Sequence, residues 1–301
     1  MRILDYYIVD VFAEAKYRGN QLAVFMDTKG LSTEEMQSIA LETNFAETTF
    51  IESGERSNGG FNVKIFTPDT EVPFAGHPTL GTAYILSKYI DPEASTIVMN
   101  YPVGQVPVDV NRESGEIDLL WMKQINPTFL GELDQHLTAD ILGVPVDAIR
   151  NDFPVEQVST GLPFYIVPFK DLESLKSIKI NLDPYEQLMN RQDDQIITPA
   201  FLSFCPETTE AGHDLSSRMH YMENGQIVED AATGSANGCL LSYLLKHEYL
   251  GTESVDIKVE QGYEIRRPSV IYHRGKKVDE NTYEINIGGR VVEVSKGKWR
   301  H

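Results

Sequence analysis

The segment EVPFAGHPTLGTAYIL, residues 71–86, is answered by EDAATGSANGCLLSYLL, residues 229–245. The two lie 158 residues apart (229 − 71), close to half of the 301-residue chain. In each, Glu is followed five residues later by Gly, at Gly76 and Gly234. A small polar group comes next, His77 in one and Ser235 in the other, then small residues, then an apolar run. Gly104 of GQVPVDV and Gly262 of GYEIRRP keep the same offset. A repeat of this size signals two copies of one folding unit rather than a short-period solenoid. Each copy sets a Gly-polar turn at the start of a helix. Two such turns facing each other would make a site at the seam between the halves.

Outward from the repeat, residues 4–12 and 20–26 are predicted strands, with Gly19 and Asn20 turning between them. Ser32, with Glu35 three residues on, forms a capping box that opens a helix with Met36 and Ile39 facing inward. Residues 48–52 and 61–67 read as two further strands. Pro78 suits the first turn of a helix over 78–90, whose apolar residues cover most of its circumference. Residues 235–249 have the same all-round apolar character, so both helices are expected to be buried. Strand patterns follow at 105–110, 117–122, 155–168 and across 251–297, and Asn126-Pro127 marks a joint. The expectation is an α+β chain of two pseudo-symmetric halves, 1–124 and 125–301, with the last strand free to return to the first half. Each half would be a curled, mostly antiparallel sheet around one central buried helix.

Composition narrows the partners. Hydrophobic content of 41% and charged content of 24% are ordinary for a soluble globular chain. The net charge of −19, from 26 basic against 45 acidic side chains, argues against nucleic acid and anionic membranes. A negatively charged ligand would have to be held by helix N-termini and backbone amides. Cys205 and Cys239 suggest neither a disulfide framework nor a zinc site. The start MRILDYYIVDVF lacks the pattern of a signal peptide, and no apolar run approaches the roughly 20 residues of a membrane span. These features predict a soluble, cytoplasmic protein in a reducing compartment, with no metal.

Four segments carry candidate chemistry. Glu47 stands among the apolar residues of NFAETTFI. Buried there, its carboxyl would be tuned toward proton transfer near neutral pH, although an outward-facing glutamate, which strand alternation permits, is the plainer reading of these residues alone. His77 of AGHPTLG sits at the mouth of a buried helix, where a capping or surface role is the plainer alternative. Asp230 of EDAATGSANG precedes a Gly234-Ser235 turn of the kind that binds anions at a helix start, and an ordinary N-cap serine is the alternative. Asn20 could line the same seam. Cys239 falls inside the apolar helix and reads as a core thiol. With no GxSxG, GxGxxG or P-loop, neither a serine nucleophile nor a nucleotide cofactor is implied.

The segments DVFAEAKYRGNQLAVF, NFAETTFI, KIFTPDTEVPFAGHPTLGTA, VSTGLPFYIVP, VEDAATGSANG and EQGYEIRRPS, taken in order, resemble the PhzF family of phenazine-biosynthesis-like isomerases. The resemblance implies a diaminopimelate-epimerase-like fold with its active site between two similar halves. It also implies a cofactor-free proton shift on a small carboxylate-bearing substrate, and a homodimer. By motif, Glu47, His77 and Asp230 correspond to the family's catalytic groups, while Gly76, Gly234 and Ser235 correspond to groups around the substrate carboxylate. Ala75 and Ala231 or Ala232 stand where true diaminopimelate epimerases carry their cysteine pair, which disfavours a two-thiol racemase. An epimerase of amino acid derivatives and a non-catalytic small-molecule binder remain the alternatives.

Overall fold

The computed structural model describes residues 2–190 and 199–301. Chain contacts divide it into two compact units, Met1–Lys123 with Gly288–His301, and Gln124–Ile287.

The first unit begins with β1 (Ile3–Val11) and β2 (Asn20–Phe25), followed by α1 (Thr33–Thr43), β3 (Glu47–Ile51), β4 (Phe61–Phe66) and the short β5 (Glu71–Val72). Then come α2 (Gly76–Tyr89), β6 (Thr96–Tyr101), β7 (Gly104–Glu113) and β8 (Glu116–Lys123). β1 and β2 pair antiparallel, β2 and β3 parallel, β3 and β4 antiparallel. β4 then takes β5 antiparallel and β6 parallel, and β6 takes β7 antiparallel.

The second unit holds β9 (Thr128–Glu132), α3 (Gln135–Leu142), β10 (Glu156–Ser159), β11 (Pro163–Pro168), α4 (Leu172–Lys176) and α5 (Leu182–Asn190). It continues with β12 (Phe201–Cys205), β13 (Leu215–Glu223), β14 (Gln226–Asp230), α6 (Gly234–Lys246), β15 (Ser254–Gln261), β16 (Ser269–Lys277) and all but the last two residues of β17 (Tyr283–Gly289). Its pairings repeat the order of the first unit: β10–β11 antiparallel, β11–β12 parallel, β12–β13 antiparallel, β13–β14 antiparallel, β13–β15 parallel, β15–β16 antiparallel. The last strand, β18 (Val291–Arg300), pairs antiparallel with β1. β9 does the same for β10. α2 and α6 begin 158 residues apart, at Gly76 and Gly234, so the sequence repeat is a repeat of topology.

Each unit wraps its sheet around an apolar helix, as the all-round patterning predicted. Every residue of α2 from Gly76 to Ser87 is buried, and α6 is buried from Ala236 to Leu245. A Cβ on Gly81 would lie 2.5 Å from Leu22 and 2.9 Å from Val11, so α2 meets β1 and β2 at a separation that only glycine permits. On the opposite face of that sheet, Phe25, Phe50 and Phe66 pack with Met36 and Ile39 of α1. In the second unit, α6 packs Leu240, Tyr243 and Leu244 against Val158, Ile166, Leu202 and Phe204. Full burial of one such side chain contributes about 1.5–3 kcal/mol.

One expectation is corrected. Gly19 and Asn20 are not a two-residue hairpin turn, because Asn20 is already the first residue of β2, paired with Val11. The connection is the longer loop 12–19, in which Phe12 and Tyr17 take positive φ. Gly19, at φ +69°, closes the loop against the Val11 carbonyl, which leaves no room for a Cβ. The predicted helix start at residue 78 also moves forward, to Gly76. Among the described residues no helix is long and apolar enough to cross a membrane.

Candidate active site

In the first unit, α1 ends at Asn44, whose left-handed φ of 53° turns the chain into β3. Glu47 opens that strand, opposite Leu22 of the parallel neighbour β2. Asn20 is two residues away on β2 and is buried. His77 is the second residue of α2, and α2 is tied to β3 by the Thr82 hydroxyl donating to Thr49 Oγ1 at 2.9 Å. These anchors bring three sequence-predicted residues together. His77 Nε2 lies 3.4 Å from Glu47 Oε2, and both atoms are buried. On the other side of the ring, Asn20 Nδ2 lies 3.4 Å from His77 Nδ1. The side chain of His77 is 6% exposed and that of Glu47 19%, so Glu47 is not the outward-facing strand residue that alternation allowed.

Burial drives the His77 pKa down to about 3, against a smaller opposing effect from a hydrogen bond with the Gln21 backbone. The start of a helix also disfavours a cation. The imidazole beside Glu47 is therefore neutral at physiological pH.

In the second unit, β14 ends at Asp230, half-buried, four residues before α6 begins. The strand is fixed by Glu229, which receives two hydrogen bonds from Arg218, at 3.0 and 2.7 Å, and lies 3.4 Å from His220 Nε2. Burial pushes the Glu229 carboxyl up, but His220 and Arg218 outweigh it and hold the pKa at about 2. Asp230 Oδ2 accepts from the Thr233 hydroxyl at 2.6 Å. Gly234 and Ser235 form the first turn of α6, Gly234 buried and Ser235 half-buried.

The starts of α2 and α6 differ from those of α1, α3 and α4. Those three are capped by the side chains of Ser32, Asp134 and Asp171. The N-cap residues of α2 and α6, Ala75 and Thr233, make no side-chain cap bond. Ala75 has no oxygen to offer, and the Thr233 hydroxyl is engaged by Asp230 instead. The first amides of both buried helices, at Gly76 and Gly234, thus keep the orientation that attracts an anion.

Reading the sequence missed a buried group behind Asp230. Asn237, Gln261 and His273 are each 0% exposed, and they are joined to Thr233 and one another by hydrogen bonds. The available signal was Asn237, an amide four positions after Thr233 at the start of a largely apolar helix.

A family model, phenazine biosynthesis-like protein (PhzC-PhzF), matches residues 9–297. The chain belongs to the PhzC-PhzF family. It is 32% identical over 295 residues to a trans-2,3-dihydro-3-hydroxyanthranilate isomerase of Pseudomonas aeruginosa, covering 97% of this chain and 98% of that one. Among solved structures, the phenazine biosynthesis protein of the PhzF family from Bacillus anthracis matches with TM-score 0.87, 26% identity and complete coverage of both chains. A hydroxyproline epimerase from Agrobacterium vitis shares the fold at TM-score 0.61 and 9% identity, covering 99% of this chain and 92% of that one. The fold is therefore that of the PhzF proteins and their epimerase-like relatives, and the enzyme class is PhzF-type isomerase.

Proposed function

We propose that this PhzF-family isomerase moves a proton within a small carboxylate-bearing substrate without a cofactor, using Glu47 as the acid and base. The observation that carries this role is the contact between Glu47 and a neutral His77. A neutral imidazole has one ring proton. Held on Nε2, it faces an ionised Glu47 at 3.4 Å, with the Asn20 amide placed to donate to Nδ1. Held on Nδ1, it leaves Nε2 to accept from a protonated Glu47. One tautomer suits the waiting base and the other the loaded acid, so the pair can take a proton from carbon and return it elsewhere.

Asp230 orients the substrate's amino or hydroxyl group in this scheme. The groups suited to its carboxylate are the Gly76 amide of the first unit and, in the second, the Gly234 amide with the Ser235 hydroxyl. Support comes from the two helix starts without side-chain caps, in a protein whose net charge of −19 offers an anion little general attraction. Thiol chemistry has no comparable support: burial pushes both Cys205 and Cys239 up to about 12.

The test uses trans-2,3-dihydro-3-hydroxyanthranilate, the compound named for the Pseudomonas relative, in deuterated water. Wild-type protein is expected to rearrange it with uptake of solvent deuterium. Glu47→Gln is expected to lose at least about 100-fold in turnover while keeping its circular dichroism spectrum. A wild-type rate in that variant would refute Glu47 as the base. Deuterium uptake at a stereocentre without rearrangement would indicate epimerisation instead.

A further inference from the structure

Behind Asp230, the second unit buries a chain of hydroxyl and amide groups whose direction is set by three backbone atoms. The Thr233 carbonyl can only accept, so the Asn237 atom 3.0 Å away is the amide nitrogen. The Asp230 carbonyl can only accept, so the Gln261 atom 3.0 Å away is likewise nitrogen. The Thr233 N–H can only donate, and it meets Gln261 Oε1 at 3.3 Å. With both amides fixed, the remaining contacts follow. Asn237 Nδ2 donates its second proton to Gln261 Oε1 at 2.9 Å, and Gln261 Nε2 donates its second to Thr233 Oγ1 at 3.1 Å. Thr233 Oγ1, already accepting, sends its own proton to Asp230 Oδ2 at 2.6 Å. At the far end, Asn237 Oδ1 faces His273 Nε2 at 2.9 Å, so that nitrogen carries the imidazole proton. His273 Nδ1 is buried without a hydrogen-bond partner, which suits a bare lone pair and not an N–H.

One relay of donors, from His273 Nε2 through Asn237, Gln261 and Thr233, therefore runs toward a single carboxylate oxygen, while the other amide protons are held by backbone carbonyls. We propose that Thr233, Gln261 and Asn237 are positioning residues that hold Asp230 through Oδ2 in the orientation in which it meets the substrate. This extends the role proposed for Asp230 and rests on it. The hydroxyl of Thr233 is diverted from its helix to the aspartate, which couples the orientation of Asp230 to the start of α6.

Two measurements decide it. Neutron diffraction from deuterated wild-type crystals is expected to place deuterium on Thr233 Oγ1 pointing at Asp230 Oδ2, and on His273 Nε2. Deuterium on His273 Nδ1 or on Asp230 Oδ2 overturns the proposal. On the dihydro-hydroxyanthranilate probe, Thr233→Val is expected to lose about 10-fold or more in kcat with KM within about twofold. Thr233→Ser, which keeps the hydroxyl, should return to within about threefold of wild type. An unimpaired Thr233→Val beside an inactive Asp230→Asn refutes the positioning alone. A wild-type kcat in Asp230→Asn refutes the role of Asp230 itself. Should Thr233→Val fail to fold, the neutron map alone decides.

Discussion

At the scale of single residues, the chemistry proposed here depends on where one ring is kept neutral. His77 loses its charge to burial, and its pKa of about 3 lies far below the ordinary histidine value of 6.5. A protonated His77 would neutralise Glu47 through an ion pair and leave it a poor base. We therefore expect the ring nitrogens of His77 to keep neutral-imidazole 15N shifts from pH 8 to pH 5, assigned by comparison with His77→Gln; a titration near pH 6.5 would contradict the burial argument. Sequence could not decide the surroundings of Glu47, because alternation gives a face without saying what lies on it. His77 is distant along the chain and meets Glu47 only through the docking of α2 on β3. The position 158 residues after Glu47 is Cys205, buried in β12. The repeated fold therefore does not carry a repeated base.

At the scale of elements, the two repeat helices were legible as buried, because apolar residues ran around their whole circumference. The capping box at Ser32 was legible too, since both partners lie within one turn. The loop 12–19 was not: positive φ at Phe12 and Tyr17 has no signature in those residue types. Nor did sequence reveal that Thr233 faces Asp230 and not its own helix, since a threonine at that position ordinarily reads as a cap. Missing caps offer a direct test of the role given to the helix starts. Ala75→Asp supplies a side-chain cap in an extended N-cap conformation, with φ −151° and ψ 145°. It should stabilise α2 by about 0.5–2 kcal/mol, visible as a higher melting temperature. If the first amides of α2 hold the substrate carboxylate, the same change should raise KM on the probe about 10-fold or more, by occupying those amides and adding a like charge. A higher melting temperature with unchanged KM would remove Gly76 from the proposed carboxylate site.

At the scale of the whole molecule, one sequence of strand pairings occurs twice, and the residue offset that first signalled it survives in the helix starts. What the repeat does not carry is symmetry of burial: two histidines that burial holds neutral, His77 in α2 and His273 in β16, do not correspond under the 158-residue offset. Together they shape stability against pH. Burial lowers each from 6.5 to about 3 in the folded state. Below pH 6.5 the unfolded chain takes up these protons and the folded chain does not, so stability must fall as pH falls. The loss begins near pH 6.5 and continues toward pH 3. Between pH 7.5 and pH 5 each histidine should remove about 2 kcal/mol. The carboxylates held low in the fold, Glu229 among them, do not contribute in that window, because their unfolded values lie near 4.5 and their stabilisation is lost only below it. Urea unfolding followed from pH 7.5 to pH 5 should thus show a decline of about 4 kcal/mol. Replacing His77 by Gln should flatten that decline by about half even if it lowers stability at pH 7.5. An equal decline in the variant would mean that His77 is free to take up its proton within the folded protein.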